Sequence, residues 1–127
     1  MEHSERFDVL IVGAGLAGLS LSILLAKRNV KVLLIERKHF PFHKVCGEYV
    51  SLESKPFLER LGVNFTTMDL PIIDELLISS PKGNALTSPL PLGGFGISRF
   101  VLEEKLYKEA MMQNVTVLTS CIVYDYD

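Results

Sequence analysis

The sequence predicts an α/β domain whose core is a partial parallel sheet, with a pair of strands inserted between the second and third strands of that sheet. Two observations support this prediction. Apolar, β-branched runs at 7–12 and 31–36 flank an apolar helix-like run at 16–28, and strand, helix and strand within about 30 residues make a βαβ unit. Strand-like runs at 72–80 and 85–90 are joined by Pro-Lys-Gly-Asn, which has the composition of a hairpin turn.

The first helix has residues suited to its C-terminal end. Lys27 and Arg28 place positive charge where the helix dipole is negative. Asn29 follows, and asparagine can adopt the left-handed conformation that commonly ends a helix. The helix is therefore expected to finish at Arg28.

The rest of the chain alternates between irregular and regular segments. Residues 38–54 are predicted to form a long loop, with a short helix over 53–61 that ends at Gly62. A helix is predicted over 101–113, closed by Asn114, and strands over 115–119 and 122–126. Residues 1–127 are thus predicted to form the N-terminal part of one domain. Within it, residues 70–98 are predicted to leave the parallel sheet and extend towards a sheet of a substrate-binding domain.

Charge and cysteine content exclude several classes of protein. Thirteen basic and fifteen acidic residues give a net charge of −2, so the sequence provides no basic surface for nucleic acid. The only cysteines, Cys46 and Cys121, lie far apart, which argues against a disulfide framework and favours a reducing compartment. His39 and His43 have helical i, i+4 spacing but no third ligand nearby, so no metal site is predicted.

One apolar stretch is long enough to suggest a membrane span. It covers residues 9–26, apolar apart from glycines and two serines. The glycine cluster interrupts it, and the segment before it is acidic, unlike the basic flank of a secretory signal. The sequence therefore predicts a cytoplasmic protein without a transmembrane segment, and leaves peripheral membrane association open.

Three glycines stand where the first strand meets the first helix. Gly13, Gly15 and Gly18 follow a G-x-G-x-x-G spacing. In such a turn the first glycine permits the sharp bend, the second lets a diphosphate approach the backbone, and the third lets the helix pack closely on the sheet. Glu36 ends the second strand, where a carboxylate can accept hydrogen bonds from ribose hydroxyls and would repel a 2′-phosphate. The pattern predicts a Rossmann-like adenine-dinucleotide site, with a purely structural glycine turn as the alternative.

Spacing does not decide between FAD and NAD, but resemblance does. The segment GAGLAG, which includes Ala17, and the pair Glu36-Arg37 resemble the N-terminus of FAD-dependent oxidoreductases of the aromatic-ring hydroxylase (group A flavoprotein monooxygenase) and geranylgeranyl reductase superfamily. The resemblance implies that Glu36 holds the adenosine ribose and that Arg37 lies near the adenine. Ser22 and Asn29 stand where the family usually has alanine and glycine, and both are compatible with its fold.

Two later segments extend the resemblance. Lys44-Val45-Cys46-Gly47 resembles the K-x-C-G-G segment of the geranylgeranyl reductase branch, which lies close to the isoalloxazine ring, although Glu48 replaces its second glycine. The resemblance implies flavin contacts for Lys44, Cys46 and Gly47. The segment from Ser98 to Leu106 resembles a family helix start whose arginine, here Arg99, lies near the flavin or its diphosphate.

The resemblance implies a function for the parent protein. It would bind FAD and, with NAD(P)H as a candidate electron donor, transfer hydride to an alkene of a small or lipid-like substrate, or react with dioxygen as a monooxygenase. Halogenases are a third branch, and an NAD-dependent dehydrogenase or a non-catalytic nucleotide-binding module is the alternative. Cys46 is the one catalytic candidate, with a small residue in a tight loop as the alternative interpretation. The sequence identifies no other catalytic residue. Later family segments that hold the flavin are absent, so the chain reads as an incomplete domain, inactive without the C-terminal part of the same enzyme.

Overall fold

The computed structural model describes residues 5–125, which form a mixed α/β fold with one parallel and one antiparallel sheet. The predicted fold class is confirmed. Three α-helices accompany the two sheets in the described part of the chain. In chain order the elements are β1 (Val9–Val12), α1 (Leu16–Ala26), β2 (Val32–Ile35), β3 (Tyr49–Ser51), α2 (Lys55–Leu61), β4 (Ile72–Ser79), β5 (Ala85–Gly96), α3 (Arg99–Met112) and β6 (Thr116–Leu118).

The parallel sheet has the order β1-β2-β6. Val9 to Val12 pair in register with Val32 to Ile35, and Leu33 to Ile35 pair with Thr116 to Leu118. The antiparallel strands lie between β2 and β6 in sequence, as predicted. Because parallel strands end at the same edge of a sheet, the turn after β1 and the segments after β2 and β6 meet there.

The antiparallel sheet has the order β3-β5-β4, and β5 is longer than predicted. The predicted strand stops at Leu90, yet β5 continues to Gly96 through Pro89 and Pro91. Proline cannot donate to a strand ladder, so it is expected at irregular positions. The register does shift here, since Ile73 pairs with Gly94 while Glu75 pairs with Pro89.

Several boundaries differ from the sequence predictions, and α1 ends at Ala26 rather than at Arg28. The expected loop over 38–54 contains β3 and a 3-10 turn at Leu52–Ser54, because Tyr49 to Ser51 pair with Gly94 to Gly96. Helix α3 begins at Arg99 rather than at residue 101, since the Ser98 hydroxyl accepts a hydrogen bond from the Val101 backbone N–H at 3.3 Å. The three residues predicted to follow helix ends, Asn29, Gly62 and Asn114, all adopt positive φ.

The strand predicted over 122–126 is wrong for residues 122–125, and residue 126 lies outside the described part of the chain. Ser120 adopts a φ of +57°, which turns the chain after β6. The Cys121 backbone N–H then donates to the Glu36 carbonyl at 3.1 Å. The chain therefore crosses the end of β2 instead of adding a strand.

A single apolar core lies between the helices and the two sheets. Its largest fully buried side chains come from α1, β2, α2 and α3: Leu19, Ile23, Leu34, Leu61 and Leu106. Burial of a leucine or isoleucine side chain contributes roughly 1.5–3 kcal/mol relative to exposure. No helix among residues 5–125 is long and apolar enough to cross a membrane.

Candidate dinucleotide-binding site

The turn between β1 and α1 begins at Gly13. Its φ of +100° is strained for any residue with a side chain, and its backbone N–H donates to the Ile35 carbonyl at 2.7 Å. The chain then enters α1 through Gly15, an N-cap with no side-chain hydrogen bond to the helix. The first N–H groups of α1 are thus left uncapped by a side chain, and this is the end of a helix that favours an anion.

Gly18 sets the distance between α1 and β1. A Cβ atom added at Gly18 would lie 1.9 Å from the carbonyl oxygen of Gly13. No side chain fits at that distance from a backbone atom. The third glycine is therefore required for helix packing, which is the role the spacing predicts.

Two cationic side chains lie beside Gly15. A Cβ atom added there would lie 3.5 Å from Lys44 Nζ and 3.8 Å from Arg99 Nη2, which are ordinary contacts. Lys44 belongs to the loop after β2 and Arg99 to the first turn of α3. The fold thus brings together three residues predicted to bind the cofactor from segments far apart in sequence. The bare backbone of Gly15 and the two cations fit a diphosphate.

A buried carboxylate that the sequence reasoning missed lies beneath the cations. Glu103 is 1% exposed and forms ion pairs with both Arg99 and Lys44. Lys44 Nζ donates to Oε1 at 3.3 Å and forms an ion pair with Oε2 at 3.1 Å. Oε2 is buried and accepts no hydrogen bond from residues 5–125. The i, i+4 spacing of Arg99 and Glu103 on a helix was the available signal.

Arg99 also has a hydrogen-bond donor that its contacts with Glu103 do not satisfy. Its Nε atom is buried and has no hydrogen-bond acceptor among residues 5–125. A buried donor without a partner costs about 1–3 kcal/mol. An acceptor from a bound ligand would remove that cost.

Glu36 lies at the carboxyl end of β2 and is 7% exposed. Its Oε2 accepts a hydrogen bond from the Ala14 backbone N–H at 2.9 Å, and its Oε1 accepts one from the Lys38 backbone N–H at 2.9 Å. The carboxylate thus ties the glycine turn to the segment after β2. Each oxygen still has a lone pair for a further donor.

A cavity of about 240 Å³ opens beside Glu36. Glu36 and Arg37 contribute to its lining, together with the turn after β1 and the segment after β6 (Val12, Gly13, Ile35, Cys121, Ile122 and Val123). Cys121 lines this cavity as a half-buried residue. The cavity lies at the sheet edge where dinucleotides bind in open α/β folds.

Ring contacts hold the loop that carries Lys44. Phe40 is buried and stacks on Tyr107 of α3, with centroids 4.6 Å apart. His43 stacks on Phe100 at 4.5 Å, which gives this histidine a packing role. Lys44 Nζ lies 4.7 Å from the centroid of the Phe42 ring. No group of three potential metal ligands occurs among residues 5–125.

The remaining predicted site residues lie elsewhere. Cys46 and Gly47 are on the exposed part of the loop, and Cys46 Sγ accepts a hydrogen bond from the Glu48 backbone N–H at 3.3 Å. Glu48 adopts a φ of +57°, so it takes the left-handed conformation that glycine adopts most readily. Ala17 lines a second cavity of about 410 Å³ with mainly apolar walls.

Several known proteins are similar to this chain. The sequence profile of the FAD binding domain family matches residues 6–84. Conditioned medium factor receptor 1 of Dictyostelium discoideum is 31% identical over 91% of this chain and 27% of its own length. Digeranylgeranylglycerophospholipid reductase of Sulfolobus acidocaldarius is 28% identical over 88% of this chain and 25% of its own.

A solved structure extends the match to three dimensions. The flavin-dependent halogenase CmlS superposes with a TM-score of 0.78 at 25% identity, covering 98% of this chain and 24% of that protein. The chain thus spans about a quarter of the length of these relatives.

Proposed function

This chain belongs to the FAD binding domain family, and we propose from that premise that it forms the dinucleotide-binding part of a flavin-dependent oxidoreductase. The observation that carries the proposal is the position of Lys44 and Arg99 beside the backbone of Gly15. Two positive side chains and the start of a helix surround a place with no Cβ atom. This arrangement suits the two negative charges of a diphosphate.

The adenosine half of FAD is assigned to the cavity beside Glu36. The carboxylate already accepts two backbone hydrogen bonds, and its remaining lone pairs would accept from ribose hydroxyls. A 2′-phosphate would meet the same negative charge, so a phosphorylated ribose is disfavoured there. Arg37 lines the same cavity and is proposed to lie near the adenine.

The flavin half is assigned to the other side of the glycine turn. We propose that this half of the cofactor contacts Ala17, Cys46 and Gly47. Bound FAD supplies two-electron redox chemistry, while the protein residues bind it, orient it and exclude water.

A reductase that transfers hydride to an alkene is the first candidate activity of the whole protein. Its support is the similarity to the digeranylgeranylglycerophospholipid reductase and the Lys44-Val45-Cys46-Gly47 segment. The positive φ of Glu48 supports equating that residue with the second glycine of the K-x-C-G-G segment. A lipid-like substrate, NAD(P)H as electron donor and peripheral contact with a membrane belong to this proposal.

Reaction of reduced flavin with dioxygen is the second candidate. Its support is the structural likeness to a flavin-dependent halogenase. An NAD-dependent dehydrogenase, or a nucleotide-binding module without redox chemistry, is the rival from another class.

Direct ligand titration tests the proposal. The protein, in the longest form that its reading frame encodes, is titrated with FAD and separately with NAD⁺, and binding is followed by flavin fluorescence and calorimetry. We expect FAD to bind and Lys44→Met to weaken that binding, while the matched control Lys31→Met leaves it unchanged. Preference for NAD⁺ would establish the dehydrogenase alternative, and binding of neither nucleotide would refute the proposal.

A further inference from the structure

Glu103 is the buried charge whose placement needs an explanation. Its side chain is 2% exposed, and an ionised carboxylate is costly to bury unless it is paired. Its partners, Lys44 and Arg99, are each about a quarter exposed and come from different segments. One buried anion therefore contacts two partly exposed cations.

The charges of the cluster do not cancel. Lys44 and Arg99 carry two positive charges against the single negative charge of Glu103, which leaves one positive charge in excess. Both cationic groups lie within reach of the Gly15 backbone. Without Glu103, two like charges would stand side by side, next to the positive end of α1, and would turn towards solvent.

The loop contacts do not replace this carboxylate. Phe40 and His43 dock the loop on α3 through their rings. They fix the backbone near Lys44, but a lysine side chain has four rotatable bonds beyond it. For the Lys44 ammonium, the structure shows contacts with Glu103 and with the face of the Phe42 ring.

We propose that Glu103 is a positioning residue: a buried counter-ion that holds Lys44 and Arg99 beside Gly15, ready for the diphosphate of the cofactor. The inference rests on the proposed FAD-binding function. Glu103 itself contacts the two cations and acts on the ligand through them.

The first test needs no ligand. In ¹⁵N NMR spectra, the Arg99 Nε–H and Lys44 Nζ–H signals report whether these groups are held. Both should be observable in the parent protein and lost or broadened by exchange in Glu103→Gln. The neighbouring Glu104→Gln removes an ion pair with Lys108 on the same helix and should leave both signals unchanged. Signals that persist unchanged in Glu103→Gln would overturn the proposal.

The second test measures binding of FAD and of riboflavin, which lacks the diphosphate. Glu103→Gln should raise the dissociation constant for FAD about tenfold, the size expected for one weakened charge-assisted contact. Riboflavin binding should not change. An equal loss for both ligands would indicate a general structural defect and would overturn the proposal.

A double-mutant cycle with Lys44→Met identifies the route of the effect. If Glu103 acts through Lys44, Glu103→Gln should weaken FAD binding less in the Lys44→Met background than in the parent protein. An undiminished effect would refute action through that lysine. Should Glu103→Gln fail to fold, Glu103→Met fills the same space without a charge and is expected to show the same losses.

Two outcomes separate this inference from the proposed function. If the parent protein binds no FAD, the proposed function fails, while the NMR signals still decide whether Glu103 holds the cations. If neither Glu103→Gln nor Glu103→Met folds, Glu103 determines the fold and the positioning role is refuted.

Discussion

The packing of α1 on β1 leads to a sharp prediction for Gly18→Ala. The added methyl carbon would lie 1.9 Å from the Gly13 carbonyl oxygen, whereas ordinary contact starts at 3.4 Å. The helix must therefore move by 3.4 − 1.9 = 1.5 Å at this point. Leu19 and Ile23 are fully buried on the same helix, so the movement disturbs the core.

The cost can be estimated from two opposing effects. Overpacking costs about 1–3 kcal/mol, and the upper value applies because a backbone oxygen has no rotamer to adopt. Alanine in place of glycine returns up to ~1 kcal/mol through helix propensity. The free energy of unfolding should therefore fall by about 2 kcal/mol.

Urea denaturation followed by circular dichroism measures this change. With a slope of about 2 kcal/mol per molar urea, the midpoint should fall by about 1 M. Gly15→Ala is the matched control: its methyl meets no atom closer than 3.5 Å, so its midpoint should change by less than half as much. A midpoint for Gly18→Ala equal to that of the parent protein would refute the inferred packing.

Three further substitutions test other parts of the structure. Glu36→Gln keeps one of the two acceptor oxygens and should lower stability by about 1–2 kcal/mol without any ligand, measured by urea denaturation against Glu53→Gln, an exposed glutamate. Phe40→Ala should cost about 3–5 kcal/mol and speed tryptic cleavage after Lys44, and equal cleavage rates would contradict the docking of the loop. Glu48→Gly should raise the thermal midpoint, since it relieves a left-handed conformation that costs a non-glycine residue about 1–2 kcal/mol; a lower midpoint would count against the strain.

Local patterns in the sequence were sufficient for the βαβ unit, because apolar runs and the glycine turn specify it over short distances. Strand β3 was missed for the opposite reason. Tyr49 and Ser51 become extended by pairing with Gly96 and Gly94, about 45 residues away, and nothing in their own composition requires a strand. The continuation of β5 was missed because Pro89 and Pro91 normally argue against a strand.

The candidate site was predicted in part. The glycines and Glu36 follow from spacing, and Lys44 and Arg99 follow from resemblance. Glu103 has the appearance of a solvated helix residue in sequence, since glutamate is rarely buried. Only the tertiary fold places it under two cations from separate segments, so its role could not be read from the helix alone.

The separation of the site residues along the chain has a consequence for folding. Gly15, Lys44 and Arg99 meet only after two long loops of chain have closed, and each closure has an entropic cost. A diphosphate bound to all three would act as a non-covalent cross-link between those loops. At a hundred times its dissociation constant, such a ligand adds ~2.7 kcal/mol to stability. The cofactor would thus be a folding partner for this domain, and its loss would loosen the loop that carries Lys44 before the rest of the core unfolds.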